Sequence, residues 1–271
     1  VIAAGALPSN KRHLAVGWLG SGVGIGIMFV SILSGALRTS QGDSSWSTAY
    51  QIQFGASLVL LLLIFFLVRH EQERVAGGAG LGGFRSLQRM RGWRPLILAY
   101  SIFGMINFLV MGFLTARLED DSGWSTSDAA FAFTLMGFAM IFGGPVFVVI
   151  AKKFGLRVTL ALAYGLWPAF LGMVMTGFEL PVLVGVVGLG FLFSALPILI
   201  TLYVVENTTA GDYGPSFSAA TLAFGVSQTI APPLGGFIAD QTGSFTLVFL
   251  LAGFVGFLGF TIFKIFNILK K

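Results

Sequence analysis

The chain has 271 residues, of which 56% are hydrophobic and only 10% charged, with a mean hydropathy of +0.89. That much apolar surface cannot close over a water-soluble core, which excludes an ordinary soluble domain and makes lipid the solvent. The net charge is +5 and there is no cysteine, so disulfides, thiolate metal sites and a cysteine nucleophile are excluded as well.

Read in chain order, Val1 to Leu7 is apolar and stops at Pro8, like the tail of a helix already under way. With Val rather than Met in first place, the chain is expected to be truncated at its N-terminus. A cleaved signal peptide is the alternative, but it would leave the start outside the cell, opposite to the side that the charges indicate. A bilayer core of about 30 Å needs about 20 apolar residues per helix. Stretches of that length, uncharged in their middles, run Leu14 to Leu37, Thr48 to Val68, Pro95 to Ala116, Ala129 to Ala151, Val158 to Phe178, Pro181 to Val205, Ser216 to Ala239 and Phe245 to Phe263. Continuous apolar runs such as Leu58 to Val68 and Val182 to Leu192 are helices rather than the alternating strands of a membrane barrel. The expected fold class is all-α, a polytopic transmembrane helical bundle with eight membrane helices.

The longest hydrophilic segment, Arg69 to Arg94, separates two of these helices from the other six. Ala76 to Gly83 is a glycine-rich linker. Phe84, Leu87, Met90 and Trp93 then recur every third residue among arginines, which predicts a short basic helix on the membrane interface. The glycines do not make a phosphate loop, since no Lys-Ser or Lys-Thr follows and no strand precedes. The chain therefore divides into 1–68, the linker 69–94, and a six-helix unit 95–271.

Counting Lys and Arg by loop, with Lys11 and Arg12 on the first side, places 14 of the 16 there and leaves only Arg38 and Arg117 opposite. By the positive-inside rule the first side is cytoplasmic, so both chain ends lie inside and the helix number is even. The basic excess then faces anionic headgroups, and no nucleic-acid partner is expected.

Three short patterns carry a family resemblance. Ala151 to Arg157 keeps Lys153, Gly155 and Arg157 of a Gly-x-x-x-Asp-Arg-x-Gly-Arg-Arg loop, with Lys152 in the Asp place. Pro232, Gly236, Asp240 and Gly243 have the spacing Pro-x-x-x-Gly-x-x-x-Asp-x-x-Gly, and Gly20, Gly22, Gly24 and Gly26 enrich the first helix. In this order and topology the chain resembles the last two-thirds of a major facilitator superfamily (MFS) transporter, helices five to twelve of twelve, joined across a long basic cytoplasmic loop. The resemblance implies gating and packing roles for Gly20, Gly24, Lys153, Gly155, Arg157, Pro232, Pro233, Gly236 and Asp240. The Lys152 departure argues against a charge relay through the short loop.

Helix faces give a second line of argument. Small and polar residues recur at helical spacing as Tyr100, Gly104, Asn107 and Met111; as Gly190, Ser194, Pro197 and Thr201; and as Thr221, Gly225, Gln228, Pro232 and Gly235. Gly17, Gly20, Gly24 and Ser31 form a face on which another backbone can approach closely, and packing is the ordinary role of such stripes. Pro168, Pro197 and the Pro232–Pro233 pair free backbone carbonyls and permit bending. An amide in mid-bilayer is costly unless it has a partner or faces water, which singles out Asn107 and Gln228; interhelical hydrogen bonding is the competing reading. The family resemblance implies that Tyr100, Asn107, Ser194 and Thr201 contact substrate, joined by Gln228.

No acidic residue occupies the middle of any helix. A proton-coupling group must then lie in helices absent from this chain, or the protein is a uniporter or exchanger. Asp128, Glu206, Asp212 and Asp240 sit at helix ends, where capping explains them. Arg117 beside Glu119, Asp120 and Asp121 reads as an outer ion cluster, with attraction of an anionic substrate as the alternative. His13 and His70 fall in loops, and no metal-spaced set occurs within a helix, so a membrane-embedded enzyme is disfavoured and neither metal nor cofactor is expected. The reading is a secondary active transporter of a small organic metabolite or drug-like solute, monomeric in the bilayer, with a coupled proton or other ion as an option. A channel or receptor-like protein is the alternative, although no filter-like segment is present. On the truncation reading, these 271 residues alone are expected not to transport.

Overall fold

The computed structural model describes residues 17–18, 20–67 and 82–268. The apolar start, both histidines and the linker up to residue 81 lie outside the described residues. Helix α1 (Ser21–Gln41) leads through a tight turn to α2 (Trp46–Leu67). After a short α3 (Gly82–Arg89) comes α4 (Trp93–Ala116), which ends in a π-helical turn, Arg117–Asp121. Then follow α5 (Thr126–Phe154), α6 (Leu156–Met175), α7 (Glu179–Asn207), α8 (Ala210–Thr242) and α9 (Thr246–Ile268). Among the described residues there is no strand, and every helix except α3 is long and apolar enough to cross a membrane. The eight spans coincide with the eight apolar stretches to within a few residues, except that Leu14 to Val16 lies outside the described residues.

Local chemistry sets the boundaries. Ser125 opens α5: its hydroxyl accepts from the Asp128 N–H at 3.1 Å and donates to the Asp128 carboxylate at 2.6 Å, a reciprocal cap. Gly155 separates α5 from α6 with φ of +88°, a conformation that a side chain would strain. Pro145, Pro168, Pro197 and Pro232–Pro233 lie inside helices, where lipid-buried neighbours can satisfy the carbonyls that they release.

The bundle is built around α7, which is 72% enclosed over its apolar window, whereas the corresponding window of α2 has no buried residue. α7 packs on α5 and α6, α6 on α9, and α4 on both α8 and α9. Trp167 on α6 meets Phe193 on α7 edge-on at 4.8 Å, and the Tyr164 hydroxyl donates to the Ala99 carbonyl, tying α6 to α4. α1 lies along α5 on a seam of glycines. A Cβ on Gly24 would stand 2.6 Å from the Gly137 carbonyl oxygen, and one on Gly17 3.3 Å from Pro145. Such contact lets backbones themselves supply the packing. Among the described residues, α2 packs mainly on α1 and the turn before it, and of its side chains only Ala49 is buried.

The short helix α3 departs from its expected surroundings. Leu87 and, just past the helix end, Met90 are 1% and 3% exposed, and this stripe docks on α8. Ser86, Leu87 and Met90 form the buried stripe with half-buried Gly83 beside it, so the helical period takes in Ser86 and leaves Phe84 outside.

Candidate functional site

The α4–α8 seam carries most of the polar groups singled out from sequence. Tyr100 on α4 is buried in an aromatic stack, 5.1 Å from the Phe224 ring and 6.4 Å from those of Phe103 and Phe217, with its hydroxyl directed to Thr221. One turn along, Gly104 abuts the Phe224 carbonyl and Ser227, and farther along Gly235 abuts Leu109 and Phe113. These contacts make α4 and α8 parallel and bring Asn107 and Gln228 to the same depth. Both are half-buried, and among the described residues neither side chain has a hydrogen-bond partner.

Two prolines add to that depth. Pro232 and Pro233 have no N–H, so the carbonyls of Gln228 and Thr229, four residues earlier, lose their helical donors. Two primary amides and two proline-freed backbone acceptors therefore lie about halfway along the two helices, with no charged side chain at that level among the described residues. Such a set can donate to and accept from neutral polar groups. Among the described residues no cluster could hold a metal ion.

The other expected contacts are placed differently. Ser194 on α7 is 2% exposed; its hydroxyl accepts from the Gly144 N–H at 3.1 Å and touches the Gly20 position, so it sits at the junction of α1, α5 and α7. Thr201 donates back to the Pro197 carbonyl at 2.7 Å, and Gly190 lies against the Met136 carbonyl. The stripe on α7 is thus a packing surface over much of its length. On α8, Gly235 is enclosed while Gly225, Gly236, Pro232, Pro233 and Asp240 lie open or exposed, so its stripe turns across two environments.

At the end of the bundle where α5 meets α6, Lys153 lies over its neighbour Phe154 at 5.2 Å, and Arg157 reaches the Tyr203 hydroxyl with Arg91 and Glu206 nearby. At the opposite end the sequence reading placed one ion cluster, and the structure holds two separate arrangements. Arg117 is 5% exposed: it donates to Ser122 at 2.7 Å and to the Met175 carbonyl at 3.0 Å, and its Nε lies 3.4 Å from Asp121. Asp121 in turn accepts from the Phe245 N–H at 2.8 Å and the Ser244 hydroxyl at 2.9 Å, so the pair fastens α4, α6 and α9 together. Glu119 faces the other way, and Arg38 Nη1 of α1 donates to both of its carboxylate oxygens, at 3.0 and 2.9 Å. That ion pair borders a cleft of about 250 Å³ lined by Ser31, Ser34, Met111, Thr115, Thr126 and Phe133. Sequence reasoning missed this bridge because its partners are 81 residues apart. Its one signal was that Arg38 and Arg117 were the only basic residues on that side.

Among the described residues, eight membrane-length helices packed along glycine seams define a polytopic helical membrane protein. The chain belongs to the MFS-type transporter family described as "Uncharacterised MFS-type transporter YbfB", whose model matches residues 1–264. That is a family of transporters and not a class of enzymes. A curated relative, the uncharacterized MFS-type transporter YceJ of Bacillus subtilis (strain 168), is 26% identical over 205 residues, covering 74% of this chain. The chain spans about half of that relative, 46% of its length. Among solved structures, an asparagine-to-alanine variant of the E. coli fucose:proton symporter FucP matches with a TM-score of 0.67 at 14% identity, covering 97% of this chain and 71% of the other. FucP in its outward conformation matches with the same TM-score at 15% identity, covering 97% and 70%. At these identities the likeness is one of fold.

Proposed function

We propose that the protein is a secondary carrier which moves a small, neutral, amphipathic or weakly anionic organic solute across the cytoplasmic membrane by alternating access. The observation that carries this reading is the pair of unpartnered amides, Asn107 and Gln228, level with each other on adjacent helices beside two proline-freed carbonyls. Polar groups in lipid persist where a partner or a wet cavity meets them. A solute with hydroxyl or amide groups would satisfy these, with Tyr100 and Thr201 as flanking contacts. Ser194 would act by holding α5, α7 and α1 in register.

On this reading residues 95–271 form one six-helix half, α1 and α2 belong to the other half, and segment 69–94 is the cytoplasmic link. The α1–α5 seam is then a contact between halves. Its glycines allow rocking with little side-chain obstruction, and the Arg38–Glu119 pair closes the outer end of the same contact. Both chain ends face the cytoplasm because the basic loops do. Since no acid lies at mid-depth in the described spans, any coupled proton would be carried by a group outside them.

The test is solute counterflow in vesicles containing the product of the complete reading frame that includes this chain. Trans-stimulated exchange of a neutral metabolite or drug-like probe is expected, and Asn107→Ala and Gln228→Ala should each raise the half-saturating concentration. Flux that is insensitive to trans solute would indicate a channel instead and overturn the carrier reading.

A further inference from the structure

Helix α3 presents two opposite faces to two different environments. One is fixed to protein: the Ser86 hydroxyl donates to the Asp212 carboxylate at 2.8 Å, a Cβ on Gly83 would stand 2.9 Å from the Pro215 carbonyl, and Leu87 and Met90 are buried. The other carries Phe84, Arg85, Gln88 and Arg89, all exposed, and the following turn adds exposed Arg91 and Arg94. Among the described residues no carboxylate lies within ion-pair distance of these four arginines, although Arg89 acts on Asp212 and Arg91 on Tyr203 at longer range. The span that begins at Trp93 starts inside this cluster, with the Arg94 guanidinium over the Trp93 ring at 5.4 Å, so the cluster stands where hydrocarbon gives way to headgroups.

We propose that the outward face of α3, Arg85 and Arg89 with Arg91, Arg94 and the apolar Phe84, is a binding surface for anionic phospholipid of the inner leaflet. Guanidinium groups grip phosphate oxygens in a fork, and an arginine cluster at the membrane surface gains from the negative potential of the leaflet. A soluble polyanion would not need the exposed phenyl ring beside the arginines, whereas a lipid offers phosphate and acyl chain together. The leaflet assignment rests on the orientation proposed above. Because α3 is fastened to α8 through Ser86 and Asp212, a captured headgroup bears on the helix that carries Gln228.

These 271 residues contain no cysteine, so Gln88→Cys, with any cysteine outside them replaced by serine, provides a single thiol for a fluorophore on this face. The labelled full protein is placed in nanodiscs of phosphatidylcholine containing an equal mole fraction of brominated phosphatidylglycerol or brominated phosphatidylcholine. Stronger quenching by the brominated phosphatidylglycerol is expected, and adding Arg85→Gln and Arg89→Gln should reduce that preference by roughly fivefold per arginine. Equal quenching by the two lipids would overturn the proposal. So would loss of the preference on adding inorganic phosphate but not sodium chloride of equal ionic strength, which would assign the cluster to a free anion. Nanodiscs expose both faces, so this result is independent of orientation. Orientation is read separately from whether an impermeant thiol reagent reaches position 88 from outside intact cells: exclusion supports the inner leaflet, and labelling overturns it.

Discussion

Ser21 on α1 donates a hydrogen bond of 2.5 Å to the carbonyl oxygen of Ile141 on α5, the acceptor that Pro145 leaves without a helical donor. A kink-forming residue on one helix is thereby answered by a hydroxyl on its neighbour. Ser21→Ala should lower stability by about 1 kcal/mol, since a buried acceptor is stranded. Pro145→Ala restores the missing N–H, so in that background the serine should matter less. Reversible unfolding of the four members of this cycle measures the difference, and strict additivity would show that the two sites are uncoupled.

Glycines on α1 should divide sharply by face. Gly24→Ala puts a methyl 2.6 Å from the Gly137 carbonyl oxygen and 2.9 Å from the Ile141 nitrogen, both backbone atoms that cannot swing aside. A loss of about 1 to 3 kcal/mol is expected, as for other overpacked sites. Gly22→Ala and Gly26→Ala meet nothing within 4 Å and should be neutral or stabilising by up to about 1 kcal/mol. Thermal melting of the three variants in one detergent tests the contrast.

The two arginines at the Glu119 end should differ as much. Arg117→Ala leaves the Asp121 charge uncompensated in a buried setting and removes the tie from α4 to α6, at a cost of about 3 to 5 kcal/mol. Arg38 is 45% exposed, so Arg38→Ala should change stability by no more than about 1 kcal/mol. Its effect should appear in access. A cysteine introduced by Thr115→Cys in the bordering cleft should react faster with a bulky thiol reagent once Arg38 is gone. The charge-exchanged double variant, Arg38→Glu with Glu119→Arg, should slow it again.

Asn107→Ala and Gln228→Ala test the site apart from the fold. Neither amide has a hydrogen-bond partner among the described residues, so each variant should melt within about 0.5 kcal/mol of the parent. If the amides contact solute, each should weaken half-saturation by up to about tenfold, the worth of one hydrogen bond. Unchanged counterflow in both would remove them from the site.

Apolar length and basic asymmetry made the eight spans legible, because in lipid each helix must satisfy its own backbone and declares itself within some twenty residues. What stayed hidden was choice of partner. The period of α3 was visible, yet threefold spacing from Phe84 to Trp93 suggested immersion in lipid, and only α8 shows that the stripe through Ser86 is the buried one. Arg117 had three carboxylates within four residues, and a π-helical turn decides that Asp121 is its partner while Glu119 goes to Arg38. Ser194 had the spacing of a cavity residue, but its hydroxyl answers Gly144, fifty positions earlier. Asn107 and Gln228 were legible for the opposite reason: an amide amid hydrocarbon is conspicuous whatever surrounds it.

The consecutive prolines of α8 divide it mechanically. Its first turn is fastened to α3 by Ser86 and Asp212, and beyond the prolines it is wedged against Phe113 at Gly235. A strut anchored at both extremities and hollowed at its centre buckles there when one anchor shifts. Displacement at the α3 end would therefore be absorbed at the level of Gln228, swinging that side chain sideways while the turns beyond the prolines stay in place.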